Sequence, residues 1–152
     1  MAVAADELSV LFEGAPRFVA RLAVEAQASW NELLDRAEEI ALAMPEDEQF
    51  ELLNAHPRIG ADPAAVSALS HREQGYGRDP GTAQLALRLE RLNDEYEHRF
   101  GFRFVVFVNG RSRAAIADLI DRRLDAPRDD ELRRALRDVV AIARNRRVRL
   151  AQ

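Results

Sequence analysis

Only one stretch of this chain favours an extended backbone, FGFRFVVFVNG at residues 100–110, and one strand cannot build a sheet. Phe and Val crowd it, nearly every side chain is apolar, and Gly101 and Gly110 bound it. No second candidate strand exists to supply ladder partners. The rest of the sequence repeats with a helical period, so the expected fold is all-α: a helical bundle with one short extended segment near 102–108. Buried amides and carbonyls in such a segment are costly unless helix ends, water or a ligand satisfy them. That is a physical reason to look for a ligand there.

The helical stripes are legible residue by residue. Trp30, Leu33, Leu34, Ala37, Ile40, Ala41 and Met44 keep to one face, and Pro45 then stands where a new helix can begin. That next helix, PEDEQFELLNAH, gathers its acidic residues in the first turn, where the helix dipole favours them. Leu85, Leu89, Leu92 and Tyr96 mark a helix from about Gly81 to Phe100, and Leu132, Leu136, Val139 and Ala143 mark the last one. With 152 residues and 47% hydrophobic content, the chain is expected to form a single globular domain, residues 1–152. PRIGADP and GYGRDPG are the two Pro/Gly-rich interruptions.

Composition removes several chemistries. All 22 basic residues are arginine, and cysteine is absent. Without lysine there is no Schiff base to a carbonyl substrate; without cysteine there is no thiolate nucleophile, disulfide or thiolate metal site. Catalysis is left to His, carboxylates, hydroxyls, Arg or the backbone. The net charge of −4 argues against a nucleic-acid partner, and the basic RNRRVRL reads as a solvated helix end because acidic residues precede it. No stretch approaches the roughly 18 apolar residues that span a bilayer, and neither a signal peptide nor a peroxisomal address is recognisable. A soluble, cytoplasmic protein with no membrane partner is the expectation.

Three histidines remain as candidates. Pro57 disfavours the α conformation at His56, so His56 should lie at a helix C-terminus, where the dipole stabilises imidazolium by roughly 0.3–1 kcal/mol. It is a plausible general acid, or simply a cap for the last carbonyls of its helix. Downstream, SALSHREQGYG offers Ser70, His71, Glu73 and Gln74. Ser70 and Glu73 have the spacing of a capping box, but Gly75 and Gly77 follow at once and argue for a helix end instead. If a helix from about Asp62 ends there, Glu73 and Gln74 occupy its last turn, where a carboxylate benefits from a cationic partner such as His56. No H-x-x-x-H or H-E-x-x-H spacing is present, and His98 falls on the polar part of its helix, so no metal site is expected.

NAHPRIG, SHREQ and LNDEYEHRFGFRFVVFVNGRS, in that order and at these separations, resemble the family of 2-oxo-4-hydroxy-4-carboxy-5-ureidoimidazoline (OHCU) decarboxylases of the urate-to-allantoin pathway. The N-terminal LFEGAPRFVARL and the C-terminal RLDAPRDDELRRALRDVVAIARNRRVRL extend the likeness over nearly the whole chain. The resemblance implies an all-α domain that decarboxylates OHCU to (S)-allantoin without metal or organic cofactor, and a homodimer. It also implies His56 as the catalytic histidine and Glu73 as its carboxylate partner. By the same likeness Pro57, Ser70 and Gln74 contact substrate, and Phe104, Val105, Val106, Phe107 and Val108 offer backbone groups to the ureidoimidazoline ring.

The chain departs from the family pattern at Arg103, where FGFRF stands for the common FGFPF. Its guanidinium is expected to point to solvent, with the substrate carboxylate as the alternative. Two other functions remain open: a non-catalytic helical ureide-binding module, and a cofactor-free acid/base enzyme acting on another cyclic ureide.

Overall fold

The computed structural model describes residues 3–25, 29–61, 67–74 and 82–151, and every regular element among them is an α-helix. Two compact units emerge, Met1–Ala55 with Leu136–Gln152, and His56–Ala135.

In the first unit, α1 (Ala5–Leu11) is followed by α2 (Pro16–Ala23), whose Pro16 occupies a first-turn position where a missing N–H costs nothing. Ser29 starts α3 (Trp30–Ala43) by accepting the Glu32 amide at 3.2 Å. The expected stripe is the buried one: Leu33, Leu34, Ala37, Ala41 and Met44 are buried, with Trp30 and Ile40 half-buried at its edges. Pro45 precedes α4 (Glu46–Asn54), which carries Glu46, Asp47 and Glu48 in its first turn. Glu48 takes two hydrogen bonds from Arg21, at 3.0 and 2.6 Å, and Arg17 reaches both Asp47 and Glu51, so α2 and α4 are tied by charge. Arg146 of α8 (Arg128–Leu150) is 0% exposed and donates to the carbonyls of Val10 and Leu11, the otherwise unpaired end of α1.

The second unit is built on α6 (Ala83–Phe100), α7 (Arg113–Arg123) and the first turns of α8, with the short α5 (Ala68–Gln74) beside them in sequence. Thr82 caps α6 by accepting the Leu85 amide; Gly81, the expected start, lies outside the described residues. Gly101 ends it at φ 85°, a left-handed conformation that glycine adopts without steric cost. Tyr96 is the centre of an aromatic cluster, with ring centroids 4.6 Å from Phe100, 5.8 Å from Phe102 and 5.0 Å from Phe104. Its hydroxyl donates to Glu131 at 2.6 Å, and Glu131, itself 0% exposed, is also held by Arg123 and Arg134. Burial, and then the hydrogen bond to Glu131, push the Tyr96 phenol far above its ordinary pKa, so it stays protonated as a donor. Around this cluster passes the predicted extended segment, with Phe102, Phe104, Val105, Val106 and Val108 buried and no ladder partner among the described residues.

Candidate functional site

α4 stops at Asn54, the Ala55 amide closes on the Glu51 carbonyl at 3.1 Å, and His56 follows, half-buried, just beyond the helix. Pro57 has no amide to donate, so the turn that follows must be held by other groups. The Ala61 amide closes it on the Arg58 carbonyl at 3.1 Å, and side chains hold the rest. The His56 carbonyl accepts from Arg103 Nη1 at 2.8 Å, the Arg58 carbonyl from Gln74 Nε2 at 3.1 Å, and the Ile59 carbonyl from Asn93 Nδ2 at 3.2 Å. The Gly60 amide donates to Gln74 Oε1 at 3.0 Å. Gly60 lies at φ +80°, and a Cβ there would stand 2.9 Å from Leu89 Cδ1. The glycine therefore answers both a left-handed backbone and a close approach to α6.

The side chain of Arg58 runs to α6, where it pairs with Asp94 at 2.8 Å and with Glu97. Partial burial works to lower its pKa, but the hydrogen bond to Asp94 and the charge of Glu97 outweigh that and the net shift is upward. A cleft of about 540 Å³ opens beside this turn, lined by Arg58, Gly60, Ala83, Leu87, Glu90 and Asn93 among others.

α5 begins at Ala68, with Ser67 accepting the Ser70 amide at 3.1 Å and the His71 amide at 2.8 Å through its hydroxyl and carbonyl respectively. The capping residue is thus Ser67, and Ser70 is a buried position inside the helix, 3% exposed. Asp62, the expected start of this helix, lies outside the described residues, as does the GYGRDPG loop at 75–81. Glu73 is half-buried on α5, and Gly75 and Gly77, on which the expected helix end rested, lie outside the described residues. Gln74 is buried, and its amide spans Arg58 and Gly60 with one bond each way. That side chain docks the end of α5 onto the turn after His56.

Two expectations are corrected. Arg103 does not point to solvent: it grips the His56 carbonyl, and its Nε lies 3.7 Å from Glu97. Nor does the extended segment keep all its peptide groups for a ligand. Arg134 donates to the Val105 carbonyl at 2.9 Å, and Arg111 to the carbonyls of Phe107 at 2.5 Å and Val108 at 3.1 Å. Arg134 from α8 and Arg111 from the turn just after the segment supply donors that a second strand would have given. The peptide groups of Phe104 and Val106 make no hydrogen bond with another described residue.

The residues that hold this site and that sequence reasoning missed are Arg58, Asn93, Glu97, Arg111 and Arg134. Asn93 alone left a signal, a polar residue one turn from Leu89 on the buried stripe of α6. Among the described residues no group of three or more His, Asp or Glu side chains is placed to hold a metal ion.

Residues 2–148 match the family model described as OHCU decarboxylase. The chain is 28% identical over 142 residues to the uric acid degradation bifunctional protein PucL of Bacillus subtilis, covering 93% of this chain and 29% of that one. It is 36% identical over 104 residues to the putative 2-oxo-4-hydroxy-4-carboxy-5-ureidoimidazoline decarboxylase of Homo sapiens, covering 66% of this chain and 60% of that one. The chain thus spans less than two thirds of these curated relatives. Its fold matches a crystal structure of OHCU decarboxylase in the presence of (S)-allantoin, with a TM-score of 0.78 and 24% identity, over 95% of this chain and 96% of the other.

Proposed function

This chain belongs to the OHCU decarboxylase family, and we propose that it is a carboxy-lyase converting OHCU to (S)-allantoin and CO2 in urate degradation, needing no metal or organic cofactor. The observation that supports this best is the convergence of the three motifs on one turn: Gln74 ties SHREQ to the turn after His56, and Arg103 ties FGFRF to His56 itself. The chemistry suits what composition leaves available. The substrate carries its own electron sink, because the electron pair of the breaking C4–carboxylate bond passes toward the neighbouring C5=N bond as CO2 leaves. The enol-like intermediate then takes a proton at C5 on one face, and that face sets the handedness of the product. The protein has only to bind the substrate, desolvate the carboxylate and deliver the proton.

In this reading His56 is the proton donor and Glu73 its carboxylate partner. Pro57 and Ser70 border the substrate, and Gln74 acts by bracing the turn beside it. Phe104, Val105, Val106, Phe107 and Val108 offer backbone groups to the ureidoimidazoline ring, apart from the carbonyls of Val105, Phe107 and Val108 that Arg134 and Arg111 already occupy. Residues 1–152 act as one catalytic domain, working as a homodimer in the cytoplasm; no helix among the described residues is long and apolar enough to cross a membrane.

Incubation with freshly generated OHCU, followed by circular dichroism of the allantoin formed, tests the assignment. Enzymatic turnover gives an excess of the (S) form. A racemic background would instead indicate a binding module, and a different product would indicate another ureide enzyme.

A further inference from the structure

The contact between Arg103 and His56 has no equivalent among the uses found for the other arginines that grip the segment at 105–108. Arg111 and Arg134 satisfy carbonyls of the extended segment, whereas Arg103 leaves that segment and donates to the peptide of the histidine, at 2.8 Å. Glu97, one turn before the end of α6, stands between two cations: Arg58 pairs with its carboxylate from one side, and Arg103 Nε lies 3.7 Å from it on the other. The result is a bracket around Pro57. The residue before the proline is held by its carbonyl, the residue after it by its guanidinium, and both arms end on the same glutamate.

The need for such a bracket follows from the local chain. His56 lies past the end and C-cap of α4, and Pro57 offers no amide to continue the helix ladder beyond it. If the His56 peptide plane rotates, the Cα–Cβ direction moves with it and the imidazole swings. From the geometry we infer that Arg103 is a positioning residue for His56, fixing the direction of its ring through the backbone carbonyl, with Glu97 aligning the guanidinium. This rests on the reading of His56 as the proton donor. Arg103 acts through His56 and is given no contact with substrate.

A bond that only stabilises the fold and one that aims a catalytic ring predict different results. Side chains about a third exposed, as Arg103 and Glu97 are, contribute little to stability through their charge pairing. Misaiming a reacting group by about an ångström costs on the order of 100-fold in rate. In Arg103→Ala, kcat should fall roughly 10- to 100-fold with KM nearly unchanged, and the enantiomeric excess of the allantoin should drop, because a loosened donor delivers its proton less selectively. Arg103→Lys should recover part of both, since an ammonium can still donate to the carbonyl but lacks the fork that also faces Glu97.

A substrate-free measurement accompanies these. The His56 ring resonances in nitrogen-correlated NMR should be single and sharp in the parent and broadened or doubled in Arg103→Ala. The inference is overturned if the folded Ala variant keeps its kcat and enantiomeric excess, or if its His56 resonances are unchanged. Should Arg103→Ala fail to fold, Arg103→Lys and Glu97→Gln carry the same comparison, and parental kcat, enantiomeric excess and ring signals in both would equally overturn it. If the parent protein itself produces no excess of (S)-allantoin, the decarboxylase reading has failed; the NMR comparison still decides whether Arg103 orders His56.

Discussion

His56 is half-buried, and its peptide is held from the carbonyl side by Arg103 while Pro57 removes the amide that would normally follow. A histidine that merely caps a helix and one that donates a proton respond differently to two substitutions. His56→Ala should lower turnover by at least roughly 100-fold, within the range for acid/base groups, and leave the helical signal in far-UV circular dichroism intact. His56→Asn can still hydrogen-bond nearby carbonyls, so a capping role would be largely rescued and a proton donor would not. A normal rate and an (S) excess in the Asn variant would remove His56 from the chemistry and turn attention to His71. Glu73 has a separate test. An amide in its place can hydrogen-bond a ring nitrogen without stabilising an imidazolium, so Glu73→Gln should fold normally and lose roughly 100- to 10,000-fold in kcat. A full rate would leave Glu73 no role beyond the end of α5.

At the scale of elements, the site depends on a turn fixed by side chains from α5, α6 and the extended segment. Gly60 is the point where that turn has least freedom to change. Alanine there would place a Cβ 2.9 Å from Leu89 Cδ1 and would hold a non-glycine residue at φ +80°. Left-handed backbone at such a residue costs on the order of 1–3 kcal/mol. Gly60→Ala should therefore lower the thermal midpoint and, by shifting the turn that Gln74 and Asn93 grip, reduce kcat more than KM. An unaltered midpoint and rate would show that the turn yields without consequence.

For the molecule as a whole, acid should weaken the fold through the carboxylates tied to α2. The hydrogen bond from Arg17 holds Asp47 below its usual value, and that from Arg21 does the same for Glu48. A carboxylate whose pKa is lower folded than unfolded stabilises the fold above its unfolded value, and that contribution is lost as pH falls through the folded one. The window thus opens below about pH 4, the range of unperturbed carboxylates. Thermal midpoints measured from pH 7 to pH 3 should fall across that window, and Glu48→Gln should show a shallower fall; equal slopes would assign the acid limb to other groups. A second test at this scale concerns metals. Exhaustive chelation should leave activity unchanged, because the substrate supplies its own electron sink, and restoration of a lost activity by added zinc or manganese would contradict the cofactor-free reading.

Much of this was settled along the chain before any packing. The buried stripes of α3, α6 and α8 and the end of α4 shortly before Pro57 are local matters of period and backbone freedom, readable from neighbouring residues. The absence of lysine and cysteine likewise bounded the chemistry without a fold. Tertiary structure alone decided where the arginines go. A guanidinium on a long, flexible stem carries five donors and reaches whichever carbonyl packing leaves bare, and nothing in FGFRF says whether Arg103 meets water or the carbonyl of a residue 47 positions away. The same holds for Arg134 on the extended segment, for Asn93 on Ile59, and for Gln74, whereas Arg111 bonds carbonyls only three and four residues before it. The helices followed from short-range pattern; the orientation of the proposed site followed from long-range hydrogen bonds, which sequence spacing does not encode.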